Sequence, residues 1–385
     1  MHPQLDVIVV EKTGKLLSKV KISGGGRCNV THDCPGIADL VKNYPRGGSF
    51  LKKAFHHFSV PDTIRWFHER SVQLKTEGDG RMFPVTDSSQ TIIDCLLHEV
   101  DRYRVNIRLH HEVKAISFQN NRWTINFSNH EPVEAEWVCI ACGGYPKSAM
   151  YEWLKKTGHH IEEPVPSLFT FNMPGNPVTQ LMGVSHKKVR VKIESTPFEQ
   201  ENPLLVTHWG MSGPAVLKLS AWGARELAAK NYDFNVAVNW VPGYNESSLQ
   251  QQIPALRSQL ATTKLINKNP FLLPQRLWEY LLQEAGIDPD TRWANLPAKE
   301  HNKLIKILCT NRFQVKGKTT YKEEFVTAGG IHLSEVEPAT MMSKLAPNLY
   351  FAGEILDVDG ITGGFNFQHA WTSGYIAAKA VAALF

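Results

Sequence analysis

The stretch that most limits what this chain can fold into lies near its C-terminus. There Leu349-Tyr350-Phe351-Ala352-Gly353-Glu354 precedes Gly360-Ile361-Thr362-Gly363-Gly364-Phe365-Asn366-Phe367-Gln368. A short run with no polar face reads as a strand covered on both sides, as in a parallel sheet flanked by helices. It closes on a glycine and a carboxylate. A glycine pair then opens a helix carrying Ala370, Gly374, Ala377 and Ala378, which are small enough for close packing on a sheet. Such a helix start offers unpaired N–H groups and the positive end of the helix dipole to an anionic ligand. Taken alone, the pattern fits an ordinary strand-to-helix turn punctuated by glycine equally well.

Two further elements shift that balance. Asp6-Val7-Ile8-Val9-Val10-Glu11 is another apolar strand that ends in an acid. In a dinucleotide-binding fold such an acid accepts hydrogen bonds from ribose hydroxyls, about 20 residues beyond a Gly-rich phosphate loop. Only ten residues precede Glu11, so that loop and the first strand are expected upstream of residue 1, and the sequence reads as N-terminally truncated. The second element, Ile22-Ser23-Gly24-Gly25-Gly26-Arg27-Cys28-Asn29, lets backbone approach a ligand closely and then supplies a fixed cation. Three separated elements meeting on one elongated ligand is what a discontinuous dinucleotide domain requires. A reduced flavin, negative at its pyrimidine end, suits the helix start at Gly364.

The rest of the chain supplies the organisation. Its 385 residues, 42% hydrophobic and 21% charged, imply two or three packed globular units. The pattern predicts a helical tract over 50–69, a tight turn over 77–84, an amphipathic helix over 89–103, and hairpin-like segments over 106–119 and 122–127. A buried strand over 137–142 follows and ends in Gly143-Gly144. Residues 169–241 alternate as antiparallel strands do, and 247–312 carry a helical period. The expected boundaries are 1–166 for the first part of an FAD-binding domain and 167–245 for a β-rich insertion. Residues 246–318 form a helical insertion, and 319–385 close the domain. The fold class is α/β. No apolar run is long enough to span a bilayer. Six cysteines scattered without a signal peptide are expected to be reduced thiols in the cytoplasm.

Several residues invite chemistry and also have plainer readings. Cys139 and Cys142 form a CxxC inside an apolar strand that would point them to opposite faces. With no second pair to complete a zinc site, no metal is expected, and two small buried hydrophobes are the favoured reading. Cys28, beside Arg27, is a candidate proton donor or a packing residue. His208, in His208-Trp209-Gly210-Met211-Ser212-Gly213-Pro214, is a candidate general acid or a structural turn residue. Lys299, Lys303, Lys306, Arg312, Lys316, Lys318 and Lys322, with Phe313 and Tyr321 among them, form either a nucleic-acid-facing edge or a solvated face. A net charge of +5 permits an acidic partner without demanding one.

On these segments the sequence resembles the BaiN/RdsA family of NAD(P)/FAD-dependent flavoproteins, also called aminoacetone-oxidase-like. The matching stretches are 21–29, 208–214, Thr327-Ala328-Gly329-Gly330-Ile331, and 353–360 with Gly363-Gly364-Phe365-Asn366, in the family's order along nearly the whole chain. The resemblance implies a Rossmann-like FAD-binding domain, here lacking its first strand, interrupted by a β-barrel-like insertion and a small helical one. It implies FAD as cofactor and NAD(P)H as reductant. Carried over, Glu11 resembles the ribose ligand, Gly25, Gly26 and Arg27 the flavin-side loop, and Val113 the backbone contact to adenine. Gly353, Glu354, Gly364, Phe365 and Asn366 resemble the ribityl and isoalloxazine contacts. Gly143 falls in the family's Ala-Thr-Gly-Gly, which here reads Ala141-Cys142-Gly143-Gly144. The expected activity is a reductase passing hydride to an activated C=C bond, in a small molecule or in uridine of ribosomal RNA. A flavin-dependent small-molecule oxidase, and a non-catalytic RNA-binding scaffold that has lost FAD, stay open beside it.

Overall fold

The computed structural model describes residues 5–319 and 326–385. It divides into two compact units: Met1–Ser167 with Tyr321–Phe385, and Leu168–Thr320.

In the first unit the apolar strands pair in parallel, as strands buried between helices do. Ile8–Val10 pairs with Asn106–Arg108, setting Ile8 opposite Asn106. Val138–Ile140 pairs with Leu349–Phe351, setting Val138 opposite Leu349. Each pair is a separate two-stranded sheet among the described residues, so Ile8–Val10 and Val138–Ile140 each keep one unpaired edge. Val7 and Val9 are 43% and 42% exposed there. Cys139 and Cys142 are solvent-exposed as well, which corrects the expectation of two buried hydrophobes. The physical reason is the open edge of the Cys139 strand, with Cys142 just past its end. Enough protein still surrounds Cys139 to push its thiol up to about 12.

Local signals set the remaining elements. The tract expected as one helix over 50–69 is two, Gly48–Ala54 and Val60–His68. Ser59 breaks it: its N–H is accepted by the Asp62 carboxylate at 2.8 Å, and Pro61 stands where a helix needs no N–H donor. Asn120 and Asn121 both take left-handed backbone, φ 51 and 62, and turn Val113–Gln119 back into Arg122–Phe127.

The second unit is built on a seven-stranded antiparallel sheet. Its order is Asn311–Lys316, Asp233–Asn239, Ser185–Ile193, Glu199–Thr207, Gly210–Ser212, Thr170–Asn172 and Lys318–Thr319. The two edge strands are consecutive in sequence and joined only by Gly317, at φ 88, so the sheet curls until its edges meet through one residue. Val189, Val191, Val236, Val238, Phe313 and Val315 alternate inward. They share one core with Leu281 and Leu282 of the helix Gln275–Ala285 and with Leu304 and Leu308 of the helix Ala298–Thr310. The segments expected as separate β-rich and helical insertions are therefore one packed unit.

Candidate cofactor site

The site grows out of the final helix, Phe365–Ala382. Buried side chains make it a hub: Gln368, His369, Thr372 and Ser373 are polar yet at most 1% exposed, so each needs a partner. The partners are loops. Ser373 Oγ accepts the Gly353 N–H at 2.8 Å, and His369 Nε2 donates to the Gly353 carbonyl at 3.0 Å. One turn of helix thus holds both polar groups of a single peptide residue. Gln368 Oε1 accepts from Thr31 Oγ1 at 2.7 Å, and the Trp371 indole donates to the Val30 carbonyl at 2.9 Å. At the helix start, Asn29 accepts the Gly364 N–H and donates to the Thr31 carbonyl, each at 3.0 Å once its amide is oriented to satisfy both. The loops at 29–31, 353 and 364 are fastened to one rigid element.

Burial of His369 drives its imidazole down to about 4, so it is neutral at physiological pH. Its Nδ1 has no hydrogen-bond partner among the described residues. Asn366 is committed to shape: its amide accepts the Gly360 N–H at 2.8 Å and donates to the Gly360 carbonyl at 2.9 Å. The Tyr44 hydroxyl donates to the Phe365 carbonyl at 2.7 Å, and the Phe365 ring stacks on His32 with centroids 4.7 Å apart. Further along the same loop the buried Asp359 pairs with Arg46 and accepts from Ser167 Oγ at 2.7 Å. Burial pushes its carboxyl up while Arg46 opposes that shift.

Glu354 follows Gly353. One carboxylate oxygen accepts the Thr327 N–H at 2.8 Å, and the other pairs with Lys19. Both atoms border Gly143-Gly144: a Cβ on Gly143 would lie 4.0 Å from Glu354 Oε2 and 4.0 Å from Lys19 Nζ. Among the described residues, the Thr327 hydroxyl is buried there without a partner. Gly25 and Gly26, at φ 70 and 85, differ from the packed glycines, because a Cβ on either would meet nothing within 4 Å. The N-cap of the final helix is Gly364, which has no side chain to cap the first turn, and its own N–H is taken by Asn29. These residues fit FAD. The open glycine backbone offers a cradle, and Thr327 offers a hydroxyl whose hydrogen bond is unmade. Glu354, Lys19 and the helix start supply the donor, acceptor and charge that an elongated phosphate-bearing ligand needs.

Comparison with known proteins decides the family. Residues 1–380 match the family described as HI0933-like protein Rossmann domain. The chain belongs to that family.

Among curated relatives, this HI0933-like chain is 31% identical to the ribosomal RNA dihydrouridine synthase of Escherichia coli, over 97% of this chain and 91% of that protein. It is 26% identical to the 3-dehydro-bile acid delta(4,6)-reductase of Clostridium scindens, over 98% and 92%. It is 29% identical to the ribosomal RNA dihydrouridine synthase of Haemophilus influenzae, over 97% and 92%. The matched family is described by its Rossmann domain, in keeping with the parallel strand pairs of the first unit. No helix of the described residues is long and apolar enough to cross a membrane.

The residues singled out by sequence separate in space. Gly353, Glu354, Gly364, Phe365, Asn366 and Gly143 gather around the final helix and the Glu354 carboxylate. Glu11 stands at the carboxyl end of its parallel strand, where Oε1 accepts from the Thr13 N–H and hydroxyl at 2.7 Å each. Val113 opens the hairpin strand opposite Phe127. Arg27 is held by Glu77 at 2.6 Å and lies over the Phe83 ring at 4.0 Å. Cys28 is 0% exposed among Val20, Val30, Phe67 and Ile92, and burial pushes its thiol up to about 11. That is a packing environment, opposite to the activated thiol Arg27 suggested. His208 is exposed in the other unit, edge-on to Trp209. Sequence reasoning missed Lys19, Thr31, Thr327, Gln368, His369 and Ser373. Three of these, Gln368, His369 and Ser373, left a signal together with Thr372, a polar pair repeated after four residues inside an otherwise Ala-rich helix.

Proposed function

We propose that this chain is a reductase that saturates an activated C=C bond, with uridine in RNA as its substrate and NAD(P)H as its reductant, working in the cytoplasm. The observation that carries this reading is the fastening of the 29–31, 353 and 364 loops to one helix, beside an open Gly25-Gly26 backbone. That arrangement holds a long cofactor rigidly and leaves room against it. FAD, when bound, carries the two electrons of hydride between a nicotinamide and the substrate. The balance is simple: hydride reaches one carbon of the double bond, a proton the other, and NAD(P)H leaves as NAD(P)+. The names of the relatives favour this substrate class, since one is a ribosomal RNA dihydrouridine synthase and another a delta(4,6)-reductase.

In this proposal Lys19, Glu354 and Thr327 bind the cofactor's polar middle, and Glu11 and Val113 its ribose and adenine end. Gly25, Gly26 and Arg27 flank the flavin. Cys28 is left as packing, because a thiol with no exposed surface cannot reach a substrate carbon. His208 is kept as the candidate general acid. The test is a spectrum of the purified protein, followed by incubation with NADH or NADPH and ribosomal RNA, with dihydrouridine read by mass spectrometry. A flavin spectrum with pyridine-nucleotide-dependent dihydrouridine supports the reading. A protein that takes up no flavin, or one that holds flavin and leaves uridine untouched, overturns it.

A further inference from the structure

Resting on the reading of RNA as substrate, we propose that the outer face of the helix Ala298–Thr310 is the surface that grips the RNA, through its phosphates rather than its bases. The first observation is a division of charge. Leu168–Thr320 holds 18 Lys and Arg against 11 Asp and Glu, a surplus of +7 in a chain whose total is +5. The remaining residues hold 24 against 26, so the basic character of this protein belongs to the second unit alone.

The second observation is where that charge is free to act. Lys299, Lys303 and Lys306 follow the helical repeat and share one face. All three are exposed, and none makes an ion pair among the described residues. The opposite face, Leu304, Ile305, Ile307 and Leu308, is buried in the core. Their backbone positions rise by about 6 and 4.5 Å along the axis, a row along the helix rather than a pocket. A row of that form suits an extended polyanion better than a single small anion. The exposed face carries Asn302 between the lysines and no large apolar residue, so it lacks what a helix lying in a membrane surface needs.

The neighbouring basic residues fix the mode of contact. Phe313, expected from sequence as a ring among the cations, is 3% exposed and belongs to the core, so it cannot stack on a base. Arg312 points away from the helix on the other face of the sheet, paired with Glu194 at 2.8 Å. Lys318 lies half-buried over the Tyr232 ring at 5.0 Å. Tyr321 and Lys322 lie outside the described residues. What remains is ammonium groups facing solvent, which bind phosphate without reading sequence.

The test is fluorescence anisotropy with a labelled 20-nucleotide uridine-containing RNA hairpin across a KCl series, on flavin-loaded protein. K299Q/K303Q/K306Q is compared with K52Q/K53Q/K156Q, which removes the same charge from exposed positions of the first unit. The first variant is expected to lose at least tenfold in affinity, with the slope of log affinity against log salt shallower by about 2 to 3. The second is expected to stay within about twofold of wild type. Unchanged flavin absorbance in both reports an intact fold. Equal affinity of the first variant and wild type, equal losses in the two variants, or no RNA binding by wild type would each overturn the surface. RNA binding as expected by a wild type that forms no dihydrouridine strikes the functional reading alone.

Discussion

Gly25 and Gly364 both hold positive φ, yet a methyl group on each would meet different surroundings. At Gly25 it would enter open space, and at Gly364, φ 95, it would lie 2.5 Å from the Thr31 carbonyl oxygen. G25A is therefore expected to cost only about 1 kcal/mol of stability, from the left-handed backbone, while sharply lowering FAD content. G364A is expected to cost roughly 2 kcal/mol or more, because backbone must move as well. Urea midpoints beside flavin absorbance separate the two, and equal destabilisation would contradict an open cradle at Gly25. His369 gives the residue-scale pH dependence. Its folded value, about 4, lies below the ordinary 6.5, so its contribution is complete above pH 6.5 and fades as pH falls towards 4. Wild type should lose on the order of 2 kcal/mol between pH 7 and 4.5 that H369Q does not lose, read from urea midpoints at both pH values. Parallel losses would show that the imidazole stays neutral for another reason, or is not buried in solution.

At the scale of elements the final helix is the organiser. An apolar helix would pack on the sheet equally well, but it would leave the Gly353 peptide and the 29–31 loop without partners. S373A deletes the acceptor of the buried Gly353 N–H and should cost about 1–3 kcal/mol together with FAD affinity, whereas S373T, which keeps the hydroxyl, should recover most of both. Thermal midpoints and flavin titration report the outcome, and an S373A protein that binds FAD like wild type would show the Gly353 peptide to be held by other means. The sequence announced this helix through Gly363-Gly364 and its small residues. It hid the polar row at 368, 369, 372 and 373, because polar residues in a helix ordinarily mark its wet face. Only the loops packed against them make that face interior. The break at Ser59 was legible in principle, as Ser59, Pro61 and Asp62 form a helix-start signal, but the apolar periodicity on both sides masked it.

At the scale of the molecule, Leu168–Thr320 is continuous in sequence and has its own core running from Phe169 to Val315. Expressed alone, this segment should unfold in one cooperative step, followed by circular dichroism in urea. A gradual transition would show that its barrel needs the rest of the chain. That the β-rich and helical segments share one core was not visible in the sequence for a definite reason. An alternating sheet and a set of amphipathic helices each declare one apolar face, and no local pattern says that the two faces cover one another.

The sequence by itself determined the parallel strands that end in Glu11 and in Gly353-Glu354, the glycine-opened final helix, and the antiparallel character of the middle of the chain. Those depend on periodicity, backbone freedom and the residue next door, all of which are local. The tertiary structure alone decided that Cys28 is sealed while Cys139 is exposed, that Asn366 shapes a loop, and that His369 and Ser373 hold one peptide between them. It alone showed which lysines are left without an ion pair among the described residues. Burial and pairing depend on residues hundreds of positions apart, such as Thr31 with Gln368 or Lys19 with Glu354, and that proximity exists only once the chain has folded.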